Sequence, residues 1–185
     1  NLLTLARSQS GRELKIERFA LLDLLAELLG ELLSLAESRN IDLGLVGECP
    51  FELESDRLVL RSILVNLLGN ALKYSPKGGR VDISCRQGAP GDLPGQPGVS
   101  DEISGAAGVE ICVLDEGPGI PPEDLPHVLE PFYRVGDDRA AVSGTGLGLA
   151  IAASACRELK ARLNLKNRPS GGLEARLWVP ENLLP

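Results

Sequence analysis

The segment 56–75, DRLVLRSILVNLLGNALKYS, limits what this chain can become more than any other stretch. Read as a helix, it carries Leu60, Ile63, Leu64, Leu67, Leu68 and Ala71 at spacings of three and four, a wide apolar stripe for a core. Asn66, Asn70 and Lys73 fall on another face, because positions three, four and seven apart stack on a helix, and Tyr74 lies at the edge of that face. Two amides and an ammonium beside such a stripe are expensive to bury without partners. A metal ion and a polyphosphate would supply them: amide oxygens coordinate Mg2+, and lysine neutralises phosphate oxygens. A surface helix with an Asn-rich exposed side is the alternative this segment leaves open.

Composition narrows the setting. At 185 residues the chain has room for one domain of ordinary size with short appendages. Aromatics make up only 3%, so the core must be aliphatic. A net charge of −7 argues against nucleic acid or an anionic membrane as general partners, so an anionic ligand must be held by local positive groups. No run approaches the ~18 apolar residues of a membrane span, and no signal-peptide pattern is present. Cys49, Cys85, Cys112 and Cys156 stand singly, without C-x-x-C spacing. They read as small buried or half-buried hydrophobes of a reducing compartment, ahead of metal ligands or disulfide partners. Asn1 begins in mid-pattern, as in a piece of a longer protein.

Taken in order, residues 1–11 read as the tail of a helix ending in a Ser/Gly joint, and 17–20 as an extended link. Residues 21–39 form a Leu-rich helix whose apolar positions cover more than half its circumference, which predicts packing on two sides; Asn40 suits its C-terminal cap. Ile41–Val46 and Pro50–Leu53 read as short strands separated by a turn at Gly47 and Pro50, and Asp56 as the N-cap of the organising helix. Val81–Arg86 alternate as a strand. Residues 87–108, rich in Gly and Pro, cannot bury enough surface to offset their ordering entropy and read as a mobile hairpin loop. Val109–Leu114 is apolar enough for a central strand and runs into Asp115, an acceptor for an exocyclic amine such as adenine N6. A short helix is predicted at 122–130, then a polar, lid-like segment, Arg134–Ser143. GTGLGLAIA at 144–152 is a glycine-rich turn opening a helix to about Lys160, a ready anion site, and Ala161–Lys166 and Leu173–Val179 close the chain as strands.

The glycines of 144–148 are a weak signal alone, since a structural turn uses them too. A dinucleotide site would need a strand immediately before them, and a P-loop would need Gly-Lys-Ser/Thr; neither occurs. Order and combination carry more. N-x-x-x-N-A-x-K-Y-S at 66–75, D-x-G-x-G-I at 115–120, E-P-F-Y-R at 130–134 and G-T-G-L-G-L at 144–149 follow one another at sensible spacing. Together they resemble the N box, first glycine box, F box and second glycine box of the catalytic, ATP-binding domain of bacterial sensor histidine kinases. These belong to the wider group with gyrase-type, mismatch-repair and heat-shock chaperone ATPases. The resemblance covers about residues 17–180, so 17–185 would be the catalytic domain and 1–16 the end of a dimerisation and phosphoacceptor helix with its linker.

The resemblance implies an α+β fold, a two-layer α/β sandwich of the Bergerat type, with a mixed, mostly antiparallel sheet, helices on one face and a mobile ATP lid. It implies ATP and Mg2+ as ligands. Asn70 and Asn66 would face Mg2+ and the phosphates, Lys73 would reach a phosphate, and Tyr74 would flank base or ribose. Asp115 would take adenine N6, with Gly117, Gly119 and Ile120 shaping the base pocket. Arg134 and Arg139 are candidates for the γ-phosphate, and Gly144, Thr145, Gly146, Leu147, Gly148 and Leu149 would complete the phosphate loop and pocket wall. Asn66, Lys73, Arg134 and Arg139 are the candidate catalytic residues. The nucleophile would be a histidine of the partner domain. His127, the only histidine here, precedes the F box and reads as structural. The implied partners are the chain's own dimerisation domain and a response regulator, in a homodimer at the bacterial inner membrane with this domain cytoplasmic. Rivals are a serine kinase or ATPase of the same superfamily and a non-catalytic nucleotide-binding docking module. Asn66 stands where the hydrolysing members carry a glutamate that activates water, and an amide cannot act as a general base.

Overall fold

A computed structural model describes residues 13–89, 107–135 and 145–183. The elements run β1 (Ile16–Ala20), α1 (Leu21–Ser38), β2 (Asp42–Leu45), β3 (Glu52–Asp56), α2 (Arg57–Tyr74), β4 (Arg80–Gly88), β5 (Gly108–Leu114), α3 (Gly148–Glu158), β6 (Arg162–Asn167) and β7 (Leu173–Pro180). Five strands form one sheet in the order β2-β4-β5-β7-β6, while β1 and β3 form a separate two-stranded ribbon. Among the described strands, β2 pairs with β4 in parallel and the other strand pairs are antiparallel. The result is the two-layer α+β sandwich that the motifs imply, with β5 in the middle of the larger sheet.

Strand alternation gives this sheet two unlike faces. Ile83, Val113, Ala175 and Leu165 form one cross-strand row that meets the helix layer. The opposite face carries Arg86, Glu110, Trp178 and Arg162 in a row. Glu110 is buried there and accepts from Arg86 Nε at 2.7 Å and Arg176 Nη2 at 3.2 Å, as a buried charge requires. Trp178 donates its indole N–H to Gly88 O at 2.9 Å and lies against Gly108, where a Cβ would meet the ring at 2.4 Å.

The helices follow the sequence closely. Asp56 Oδ1 caps α2 by accepting from Leu58 and Val59 N–H, both at 3.1 Å. All six stripe residues of α2 are buried. Asn40 takes φ +57° just past α1, and its N–H donates to Glu37 O at 2.9 Å. Arg39 reaches across to cap α2 at its other end, donating to Lys73 O at 2.5 Å and Ser75 O at 2.9 Å.

Several expectations change. Residues 17–20 are not a link but most of β1, paired with β3. The two short strands predicted around Gly47 do not share a sheet: β2 runs parallel to β4, whereas β3 joins β1. Helix α1 buries Leu21, Leu24, Leu25 and Leu28 but leaves Leu22, Leu33 and Leu35 exposed, because the described layers contact one side of it. The predicted helix at 122–130 is a run of turns. Only Leu125 and Val128 donate four residues back, and Pro126 has no N–H with which to continue the ladder. Both ends of the predicted loop 87–108 belong to strands, Gln87 and Gly88 to β4 and Gly108 to β5. The predicted helix tail at 1–11, and most of the predicted lid, lie outside the described residues. All four cysteines are free, and the nearby Cys85 thiol pulls that of Cys49 below its ordinary value, a proximity that their distance along the chain conceals. Burial pushes the Cys112 and Cys156 thiols up to about 12. No helix among the described residues is long and apolar enough to cross a membrane.

Candidate functional site

A cavity of about 460 Å³ opens between the helix layer and the sheet at the C-terminal ends of α2 and β5. Its floor is the apolar row Val113, Ala175 and Leu165, contributed by three adjacent strands. Leu67 and Ala71, one turn apart on α2, face that row. A slot between a flat sheet and a helix suits a planar ring. Asn70, Lys73 and Tyr74 bring the polar side of α2 into the same cavity.

At one end stands Asp115, only 7% exposed. Its Oδ1 accepts from Gly117 N–H at 2.8 Å and Leu173 N–H at 3.0 Å. Both bonds use the same oxygen, Oδ1. Asp115 is also gripped by its backbone: its N–H donates to Leu173 O at 3.0 Å, and Arg168 Nη1 donates to its carbonyl at 2.5 Å. Burial pushes the carboxyl above its ordinary value, against the pull of the two backbone donors and the nearby Arg168 charge. The approach of the β6–β7 turn to Asp115 depends on Gly172, where a Cβ would lie 1.9 Å from Asp115 O at φ +91°. Gly119 sits at φ +75°, and a Cβ there would meet Asn167 Oδ1 at 2.7 Å. Asn167 accepts from Ile120 N–H at 2.8 Å and returns a bond to Ile120 O at 2.6 Å.

The other end is made of backbone. Helix α3 begins at Gly148 with no side-chain hydrogen bond capping it, so its first N–H groups are donors for an anion. The turn before it is held where Phe132 N–H donates to Gly146 O at 3.0 Å. Gly146 lies at φ +69°, with its would-be Cβ 2.8 Å from the Phe132 carbonyl carbon. Gly148 packs against the asparagines of α2: a Cβ there would come within 3.1 Å of Asn66 Oδ1 and 3.6 Å of Asn70 Oδ1. The two asparagines differ, since Asn66 donates its amide to Ser62 O at 2.8 Å. Lys73 Nζ stands 5.0 Å from the Tyr74 ring centroid. Tyr133 donates to Asp124 at 2.5 Å, and His127 contacts both Glu130 and the Tyr133 ring.

Of the residues singled out in the sequence, the cavity brings together Asn70, Lys73, Tyr74, Asp115, Gly119, Ile120, Arg134, Thr145, Gly146, Gly148 and Leu149. Asn66, Gly117 and Leu147 do not line it. Arg139 and Gly144 lie outside the described residues. Sequence reasoning missed Asn167, Arg168, Gly172 and Leu173, whose contacts hold the loop 115–120. Their one legible signal was the Gly171–Gly172 pair, read only as a turn.

Comparison with known proteins agrees with this arrangement. The family described as histidine kinase-, DNA gyrase B-, and HSP90-like ATPase matches residues 55–183. Sensor histidine kinase CpxA of Escherichia coli is 30% identical over 182 residues, 97% of this chain and 36% of that protein. Histidine protein kinase DivJ of Caulobacter vibrioides is 30% identical over 142 residues, 77% of this chain and 21% of its own length. The chain thus spans about a fifth to a third of these curated relatives. The catalytic domain of histidine kinase ThkA superposes with a TM-score of 0.73 at 22% identity, covering 92% of this chain and 98% of that one. A mycobacterial sensor histidine kinase, MprB, superposes with a TM-score of 0.69 at 25% identity, covering 91% and 99%. With its motifs gathered around one cavity and more than half its length matched, the chain belongs to the histidine kinase-, DNA gyrase B- and HSP90-like ATPase family.

Proposed function

We propose that this domain binds ATP and passes its γ-phosphoryl group to a histidine on a separate helical dimerisation domain, for relay to a response regulator. The observation that carries the reading is the polarity of the cavity. A buried carboxylate stands at one end of an apolar slot, and an uncapped helix start with Asn70 and Lys73 stands at the other. Adenine fits the slot with its amine on Asp115, and the phosphates meet backbone N–H groups and a cation. Asn70 fits one position of an Mg2+ carried in with the phosphates, since Mg2+ takes oxygen ligands and keeps several waters. Among the described residues, no group of three or more His, Cys, Asp or Glu could hold a metal by itself. The ion would offset charge on the transferring phosphoryl group. Arg134, Lys73, Asn66 and the lid arginine Arg139 are the candidates to steady that charge from the protein.

Transfer is favoured over hydrolysis by the acid inventory. Asp115 is the only carboxylate among the described lining residues, and it belongs to the base end. A water at the γ-phosphate therefore finds no general base among the described lining residues, which favours an external nucleophile. The relatives' names point the same way, to sensor kinases. On this reading residues 1–16 end the phosphoacceptor helix and its linker, 17–185 form the catalytic domain, and the whole protein is a membrane-bound homodimer with this domain in the cytoplasm.

Calorimetry with a non-hydrolysable ATP analogue, with and without Mg2+, is the first test; Mg2+-strengthened binding is expected. Mixing the domain with a phosphoacceptor helical domain and labelled ATP should then yield acid-labile phosphohistidine. Folded protein that binds no analogue would overturn the nucleotide reading, and binding without label transfer would leave a docking module.

A further inference from the structure

The first glycine box is held from a place that no motif marks. Ile120 N–H and C=O take part in no backbone–backbone bond among the described residues. Both are instead bound by one side chain, Asn167 at the end of β6, at 2.8 and 2.6 Å. A carboxamide offers an acceptor and a donor in one plane, so it serves the N–H and C=O of one residue as a neighbouring strand would. The preceding residue, Gly119, fits only because it lacks a Cβ, which would stand 2.7 Å from Asn167 Oδ1. Gly119 and Ile120 line the cavity, whereas Asn167 does not. Its neighbours in the chain hold the other end of the loop, Arg168 through Asp115 O and Leu173 through Asp115 Oδ1.

We infer that Asn167 is a positioning residue for the base end of the cavity, fixing the Gly119–Ile120 wall against which an adenine ring would lie. The inference rests on the nucleotide reading of the cavity. The role is separable from general stability, because the amide acts on the two peptide groups flanking one residue, Ile120, and leaves the Gly117 bond to Asp115 untouched.

The test compares the parental chain with Asn167→Ala and Asn167→Asp, using ADP calorimetry, amide hydrogen exchange and urea unfolding. Asn167→Ala should weaken ADP about tenfold, the effect of roughly one net hydrogen bond. It should also speed exchange at the Ile120 amide and leave the Gly117 amide protected. Asn167→Asp keeps an acceptor for Ile120 N–H but offers no donor to its carbonyl, so both readings should fall between parent and alanine variant. Unchanged ADP affinity in folded Asn167→Ala overturns the inference. So does a loss of affinity that accompanies a lower urea midpoint and equal loosening of both amides, since that marks a merely structural role. If Asn167→Ala does not fold, Asn167→Asp decides on the same readings. A parental chain that binds no ADP removes the nucleotide reading itself, a result distinct from parental binding that Asn167 does not affect.

Discussion

The two ends of the cavity are built by opposite means. The base end is a buried carboxylate on a strand terminus, fixed by long-range bonds from the β6–β7 turn to Asp115 and Ile120. The phosphate end is a glycine turn and an uncapped helix start, fixed by one backbone bond from Phe132 to Gly146 and by the asparagines of α2 behind Gly148. A neutral ring is recognised through one directional bond and close walls, so its site must be rigid. Phosphates are recognised through charge and several N–H groups, which tolerate looser geometry. Substitutions at the two ends should therefore differ in kind.

The largest effect is expected from Asp115→Asn. The amide oxygen can still accept from Gly117 and Leu173, but an NH2 then faces the adenine amine. Affinity for ADP should fall by roughly 30- to 100-fold, in line with a lost hydrogen bond to a charged group, with the fold retained; calorimetry and a thermal melt check both. Next comes Gly172→Ala, whose methyl group meets Asp115 O. It should lower unfolding free energy by about 2–3 kcal/mol in urea titration and weaken ADP as well, because the base end moves as a unit. Equal loss at Gly171→Ala, where a Cβ meets nothing within 4 Å, would refute that explanation and point to turn strain alone.

Asn70→Ala tests the other end. The parent's gain in affinity on adding Mg2+ should shrink by about tenfold, while affinity measured without Mg2+ stays near parental. Should Asn70→Ala weaken both equally, the asparagine would belong to the base end and the contrast would fail.

The smallest effect is a pH dependence. Burial raises the Asp115 pKa, so the carboxylate proposed to accept from an adenine amine is lost at a higher pH than for an ordinary aspartate. The ratio of ADP to IDP affinity cancels phosphate titration and should decline as pH falls, starting at a higher pH than an ordinary aspartate would give, with no such change in Asp115→Asn. The raised pKa means that the folded state gains its proton before the unfolded one. Asp115 itself therefore favours folding as pH falls, so its protonation does not by itself unfold the domain.

The contrast also explains what could be read in advance. Local signals sufficed for α2: its apolar spacing, the Asp56 cap three residues before Val59, and the polar face that carries Asn70 and Lys73 into the cavity. The glycine turn into α3 was legible because a helix start is a local structure. Strand partners were less so. Residues 52–56 pair with residues 16–20, not with the strand just before them, and nothing near Pro50 encodes that choice. The turns at 122–130 were missed because acidic first-turn residues signal a helix while Pro126 interrupts its ladder.

By itself, then, the sequence determined the identity and order of the motifs, the two-faced helix and the caps, since each depends on residues within a few positions of one another. Only the tertiary structure decided that Asn167 would hold Ile120, 47 positions away, and that Arg168 would hold Asp115 across 53. Those bonds join strand ends that become neighbours only when β5 and β6 flank β7, and no local propensity carries that information.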